Sequence, residues 1–210
     1  NRRHTAAQAR EAVASLAASG IKNISIDLIY GLPGQTLLQW GKDITAALSL
    51  SAIQHLSAYA LTYEEGTRLW QMRKQGLAKE ADDELSLDMY RLLLEKTEEA
   101  GFDHYEISNF ARPGFQALHN SMYWKDVPYL GVGPAAHSFD GNSRQWNIPD
   151  IKAYLRSKGD TISQQLYEKE VLTTEMKYNE ALLKRLRTSD GLDLGFIERT
   201  FGTDRKQALL

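Results

Sequence analysis

The segment Ile24-Ser25-Ile26-Asp27-Leu28-Ile29-Tyr30 constrains this chain more than any other. It is rich in β-branched residues, which suit a pleated strand, and it runs straight into Gly31-Leu32-Pro33-Gly34, a turn signal. Residues 5–19 before it are Ala-rich with apolar positions at helical spacing, and Gly20 stands where a helix C-cap belongs. Thr36 can cap a second helix running to about Leu50, and 53–61 reads as another strand of the buried type. Helix, strand, helix, strand at this spacing predicts right-handed βαβ units in a parallel sheet.

The pattern then changes. Residues 64–80 are polar, with Gly66 and Gly76, and predict a loop holding a short helix around 69–75. Asp82 or Asp83 caps a long amphipathic helix that ends near Ala100 at Gly101. Tyr105-Glu106-Ile107-Ser108 reads as a short strand. From 109 to 147 no helical or strand period survives, and Gly, Pro, His and aromatic residues gather there. An irregular stretch of that length in a compact domain is expected to serve a ligand or an interface. Pro149-Asp150 opens a helix to about Ser157, 160–172 reads as a linker, 172–187 is helical, and Gly191 with Asp193 introduces a last short helix over 194–200.

With 210 residues, 42% of them hydrophobic, the chain can bury one sizeable core, or one and a half domains. A net charge of −2 gives no basic excess for a nucleic-acid surface. No apolar run approaches the ~18–20 residues of a membrane span. The chain opens on Asn-Arg-Arg-His, without a starting Met or a signal-peptide pattern, as expected of a segment from within a longer protein. It contains no cysteine, so disulfides, Cys-ligated zinc and thiolate-bound clusters are excluded within these residues. The cytosol is the default location.

Three motifs carry candidate chemistry. Asp27 is an acidic residue inside an apolar strand, which costs several kcal/mol unless it finds a partner. At the carboxyl end of a parallel strand it is placed to accept from a ribose hydroxyl; the competing reading is a hydrogen bond to a neighbouring backbone turn. His119-Asn120-Ser121-Met122-Tyr123-Trp124 sets an imidazole beside two amphipathic rings. Imidazole can coordinate haem iron and aromatic rings can cover a macrocycle, but chemistry alone favours the plainer reading, in which Tyr123 and Trp124 pack a loop onto the core and His119 makes a structural hydrogen bond. Tyr129-Leu130-Gly131-Val132-Gly133-Pro134-Ala135-Ala136-His137-Ser138 reads as a tight packing loop lining a cavity, with His137 a candidate second ligand. His4, His55 and His104 stand singly. No nucleophile elbow, His-Glu-x-x-His or Walker loop is present, and no catalytic residue is assigned.

Together the segments 23–36, 105–114 and 119–124 resemble the HemW/HemN family of radical S-adenosylmethionine proteins, and the resemblance covers nearly the whole chain. It implies an α/β fold: the later strands of a parallel (β/α) partial barrel with an appended α+β region over 1–157, then the start of a mostly helical carboxy-terminal domain over 158–210, truncated at Leu210. It further implies that Arg2 and Asp27 meet S-adenosylmethionine. It also implies that His119 contacts haem, as ligand to the iron, with Tyr123 and Trp124 against the ring. The family's [4Fe–4S] cluster is held by three cysteines, which would lie upstream of this chain. These residues are therefore expected not to cleave S-adenosylmethionine on their own. The Tyr-Glu-Ile-Ser-Asn-Phe-Ala-Arg-Pro-Gly and His-Asn-x-x-Tyr-Trp patterns are those of the HemW branch, which binds haem and delivers it to an acceptor protein. The alternatives are oxidative decarboxylation of coproporphyrinogen III, the activity of the oxidase branch, and a non-catalytic packing module. An uncovered edge at Ile24–Tyr30 is expected to invite self-association.

Overall fold

A computed structural model describes residues 4–156 and 166–210. The chain divides into two compact units, 1–117 and 118–210. The domain boundary expected at 157/158 lies outside the described residues, as does Arg2.

In the first unit, α1 (Ala6–Ala18) leads to β1 (Ile24–Tyr30), α2 (Leu37–Leu48) and β2 (Ile53–Ala60). Thr5 with Gln8, and Thr36 with Gln39, form capping boxes that satisfy the first free amides of α1 and α2. Strands β1 and β2 pair in parallel, with Asp27 opposite Ser57, as the alternation of elements predicts. Gly31 ends β1 in the left-handed region (φ +74), which lets the chain turn sharply towards α2. After α3 (Arg68–Lys74) and α4 (Asp83–Glu99) the sheet changes direction. β3 (Asp103–Glu106) and β4 (Asn109–Ala111) form a hairpin, and β4 adds antiparallel to β2, giving the order β1-β2-β4-β3. The strand expected over 105–108 is thus a strand end and a turn, held because the Glu106 carboxylate accepts from the Ser108 amide (3.1 Å) and the Asn109 side chain (2.5 Å). Among the described residues, the outer side of β1 faces no strand.

One face of this sheet is apolar. Ile24 and Tyr30 of β1 and Ile53, Leu56 and Ala58 of β2 join Trp40, Ile44, Met89, Leu93 and Phe110 in a single core under α2 and α4. Trp40 ties the two helices together: it is fully buried, lies 5.2 Å from the Tyr30 ring, and donates its indole N–H to the Met89 carbonyl at 2.9 Å.

In the second unit, α5 (Leu118–Trp124) precedes β5 (His137–Phe139) and β6 (Ser143–Asn147). Then come α6 (Ile151–Arg156), β7 (Tyr167–Val171), α7 (Thr174–Arg185), α8 (Leu194–Phe201) and α9 (Thr203–Gln207). The stretch 109–147, expected to be irregular, therefore holds three strands and a helix. Elements of three to seven residues are too short for a period to show. The expected linker over 160–172 contains β7, paired antiparallel with β6 from Tyr167↔Asn147 to Val171↔Ser143. Its sequence, Tyr-Glu-Lys-Glu-Val, lacks an apolar face because the strand is held by its ladder and by polar contacts such as Trp146 Nε1 to Glu168 (3.1 Å).

Replacing Trp40 by Phe is expected to cost about 1–3 kcal/mol, from the lost hydrogen bond and the space left by the indole. Urea unfolding measures this; an unchanged midpoint would show that the indole N–H contributes nothing.

Candidate functional site

The opposite face of the first sheet is polar, and strand periodicity makes it so. Ser25 and Asp27 alternate with the buried-face residues of β1, and His55 and Ser57 do the same on β2. The ladder aligns them in two rows. Asp27, Ser57, Asn109 and Glu106 occupy one, taken from strand to strand, and Ser25, His55 and Ala111 the next.

His55 is the buried centre of this face, 2% exposed. Its Nδ1 is 2.8 Å from the Ser25 hydroxyl and its Nε2 is 2.7 Å from the Tyr105 hydroxyl, which also accepts the Ala117 amide at 3.3 Å. Burial pulls the imidazole below its ordinary pKa of 6.5, while the Asp27 carboxylate pulls the other way. Asp27 itself is exposed on this face, and its carboxylate makes no hydrogen bond among the described residues. In the sequence Asp27 stands out, whereas His55 stands singly and Ser25, Glu106 and Asn109 carry no signal of their own. The signal that joins them is parity: Ser-x-Asp in one strand and His-x-Ser in its neighbour put polar side chains on one face.

The second candidate set lies on α5, a helix rather than an irregular loop. The spacing i, i+4 brings His119 and Tyr123 to one side of it. The Tyr123 hydroxyl is 3.2 Å from His119 Nε2, with the rings edge to face at 5.0 Å. Both side chains are exposed, and Tyr123 packs edge-on against Tyr129 at 4.9 Å. Trp124, five residues from His119, points elsewhere: the Arg187 guanidinium lies over its ring at 5.2 Å, and its indole nitrogen is buried without a partner among the described residues. His137 stacks on Trp146 at 6.1 Å. Its backbone backs onto Gly131, where a Cβ would come within 2.1 Å of the His137 carbonyl oxygen. Of the sequence candidates, the structure thus joins His119 with Tyr123 and sets Trp124 and His137 in other contacts.

The chain offers no thiolate to an iron–sulfur cluster, since it has no cysteine. Among the described residues no group of three or more His, Asp or Glu side chains is placed to hold a metal ion, and no helix is long and apolar enough to cross a membrane.

The fold has a solved counterpart. Coproporphyrinogen III oxidase (HemN) from Escherichia coli, a radical SAM enzyme, matches with a TM-score of 0.71 over 95% of this chain and 48% of that one, at 21% identity. The architecture is therefore the α/β fold of a radical S-adenosylmethionine protein. Sequence narrows the class. The chain is 32% identical over 200 residues to the heme chaperone HemW of Lactococcus lactis, covering 95% of this chain and 52% of that protein. It is 36% identical over 176 residues to the heme chaperone HemW of Bacillus subtilis, covering 82% and 45%. A mitochondrial radical S-adenosyl methionine domain-containing protein 1 from Danio rerio is 40% identical over 114 residues, covering 54% and 26%. No protein-family model matches the chain. The chain belongs to the HemW family of radical S-adenosylmethionine proteins, and it spans about half the length of the curated relatives it matches.

The lowered pKa of His55 has a stability consequence. The folded state favours the neutral imidazole, so this contribution is fully present above pH 6.5 and is lost as pH falls through the lowered folded value. Thermal unfolding should show a drop in Tm on going from neutral pH to about pH 5, and His55→Gln should shrink that drop while lowering Tm at neutral pH. An equal acid dependence in the variant would remove His55 as its source.

Proposed function

We propose that the chain is the carboxy-terminal half of a longer protein that binds haem and delivers it to an acceptor protein. The observation that carries this reading is the match, over most of the chain, to relatives named heme chaperone HemW, and an exposed imidazole in this chain's His-Asn-x-x-Tyr-Trp segment supports it. In this reading His119 is the axial ligand to haem iron and Tyr123 lies against the macrocycle edge. Trp124 has the Arg187 guanidinium over its ring and takes no part in the His119–Tyr123 pair. The exposed carboxylate of Asp27, without a hydrogen bond among the described residues, suits a pair of ribose hydroxyls, so Asp27 with Arg2 would hold S-adenosylmethionine on the polar face of the sheet. The cluster cysteines and the strand that covers the outer side of β1 would come from the upstream half. A cytosolic location accompanies the proposal, because free thiols that ligate a cluster need reducing surroundings. The oxidase reading has a fold likeness at 21% identity on its side and nothing more specific.

In the full-length protein, His119→Ala should abolish or shift the Soret band of bound haem. It should leave stability within about 0.5 kcal/mol, as for other exposed sites. Intact haem binding in that variant would overturn the assignment. Asp27→Ala should weaken S-adenosylmethionine binding by about tenfold or more in equilibrium dialysis, the worth of hydrogen bonds to a charged acceptor. Unchanged affinity would remove Asp27 from the site.

A further inference from the structure

We propose that the Tyr123 hydroxyl competes with haem iron for His119 Nε2, so that the same helix that captures the cofactor also loosens its hold. The proposal rests on the reading of His119 as the haem ligand. A neutral imidazole has one pyridine-type nitrogen, and its single lone pair can serve one partner at a time. The Tyr123 hydroxyl sits 3.2 Å from Nε2, and it is the stronger donor of the two groups while the imidazole nitrogen is the stronger acceptor. With Tyr123 as the donor, the proton of His119 is favoured on Nδ1 and Nε2 is occupied. Binding iron through Nε2 breaks this hydrogen bond and forms the coordination bond. No proton leaves the imidazole, and the phenolic O–H turns to water. Release runs the same exchange backwards.

The helix makes the competitor persistent. The i, i+4 spacing keeps the two side chains on one side of α5, and the edge-on contact with Tyr129 at 4.9 Å restrains the Tyr123 ring. The competition is also mild: at 3.2 Å and exposed to solvent, the hydrogen bond is a loose one. A protein that must give up its cargo is served by such a weak standing rival, because it shifts the binding equilibrium without blocking the ligand.

The test uses the full-length protein and free hemin. Tyr123→Phe keeps the ring and its packing and removes only the hydroxyl. Titration followed at the Soret band should show about two- to tenfold tighter hemin binding, the range spanned by one intramolecular hydrogen bond. Nitrogen NMR of the hemin-free protein should place the His119 proton on Nδ1 in the wild type and show a mixture of tautomers in the variant. Unchanged or weaker hemin binding in Tyr123→Phe, or a wild-type proton on Nε2, overturns the proposal. His119→Ala run alongside separates the two levels: if it retains hemin, the ligand assignment itself fails; if it loses hemin while Tyr123→Phe changes nothing, only the competition fails.

Discussion

The first unit depends on one register. In β1 and β2 apolar and polar side chains alternate, and the parallel ladder sets Ile26 beside Leu56 and Asp27 beside Ser57. A slip of one residue would drive Asp27 and His55 into the space of Trp40 and Leu93 and push Leu56 out to the other face. Burying an unpaired carboxylate there would cost several kcal/mol, so the sheet has a single acceptable pairing. The helices follow from that choice, since α2 and α4 can only cover the apolar side, and the Trp40 hydrogen bond to Met89 fastens one to the other. On the polar side His55, Ser57, Glu106 and Asn109 are buried, while Ser25 and Asp27 of β1 stay exposed.

The second unit is held by different means. Its sheet has little apolar alternation, and charge takes over part of the work. Glu180 of α7 bonds Arg144 of β6 and lies 3.1 Å from Lys184, which reaches Asp126 at 2.6 Å. These groups are partly buried, and each anion is shared between cations, which makes the arrangement more effective than isolated surface pairs. Asp140 fixes the turn between β5 and β6 by accepting from the Ser143 hydroxyl and from the Asn142 and Ser143 amides, which hold its carboxyl down to about 2.

What could be read from sequence tracks element length. β1, α2, β2 and α4 are long enough for their period and caps to show, and each lies within a residue or two of its expected limits. Strands β4, β5 and β6 are too short to carry a period, so 109–147 reads as irregular, β7 has no apolar face and reads as linker, and β3 shows only as a strand displaced to 105–108. Asp27 was legible because a carboxylate is conspicuous in a strand; its neighbour His55 was not, since its partners Ser25 and Tyr105 are 30 and 50 residues away. The pairing of His119 with Tyr123 follows from helical spacing, but only once 118–124 is known to be a helix. Nothing local announces that Trp124 turns to a guanidinium far along the chain.

Gly131 gives the loop before β5 a particular mutational character. A methyl group there would overlap the carbonyl of His137, backbone that cannot swing aside as a side chain would. Even alanine must push the first residue of β5 away from Trp146, or else lift the loop from the Ser138 hydroxyl that holds the Gly131 amide at 2.9 Å. The flanking residues are under no such restriction: Leu130 and Val132 are 83% and 80% exposed. Sequence drift in this segment should therefore be free on either side of a position closed to every residue but one, and an unvarying glycine there marks where two backbones touch.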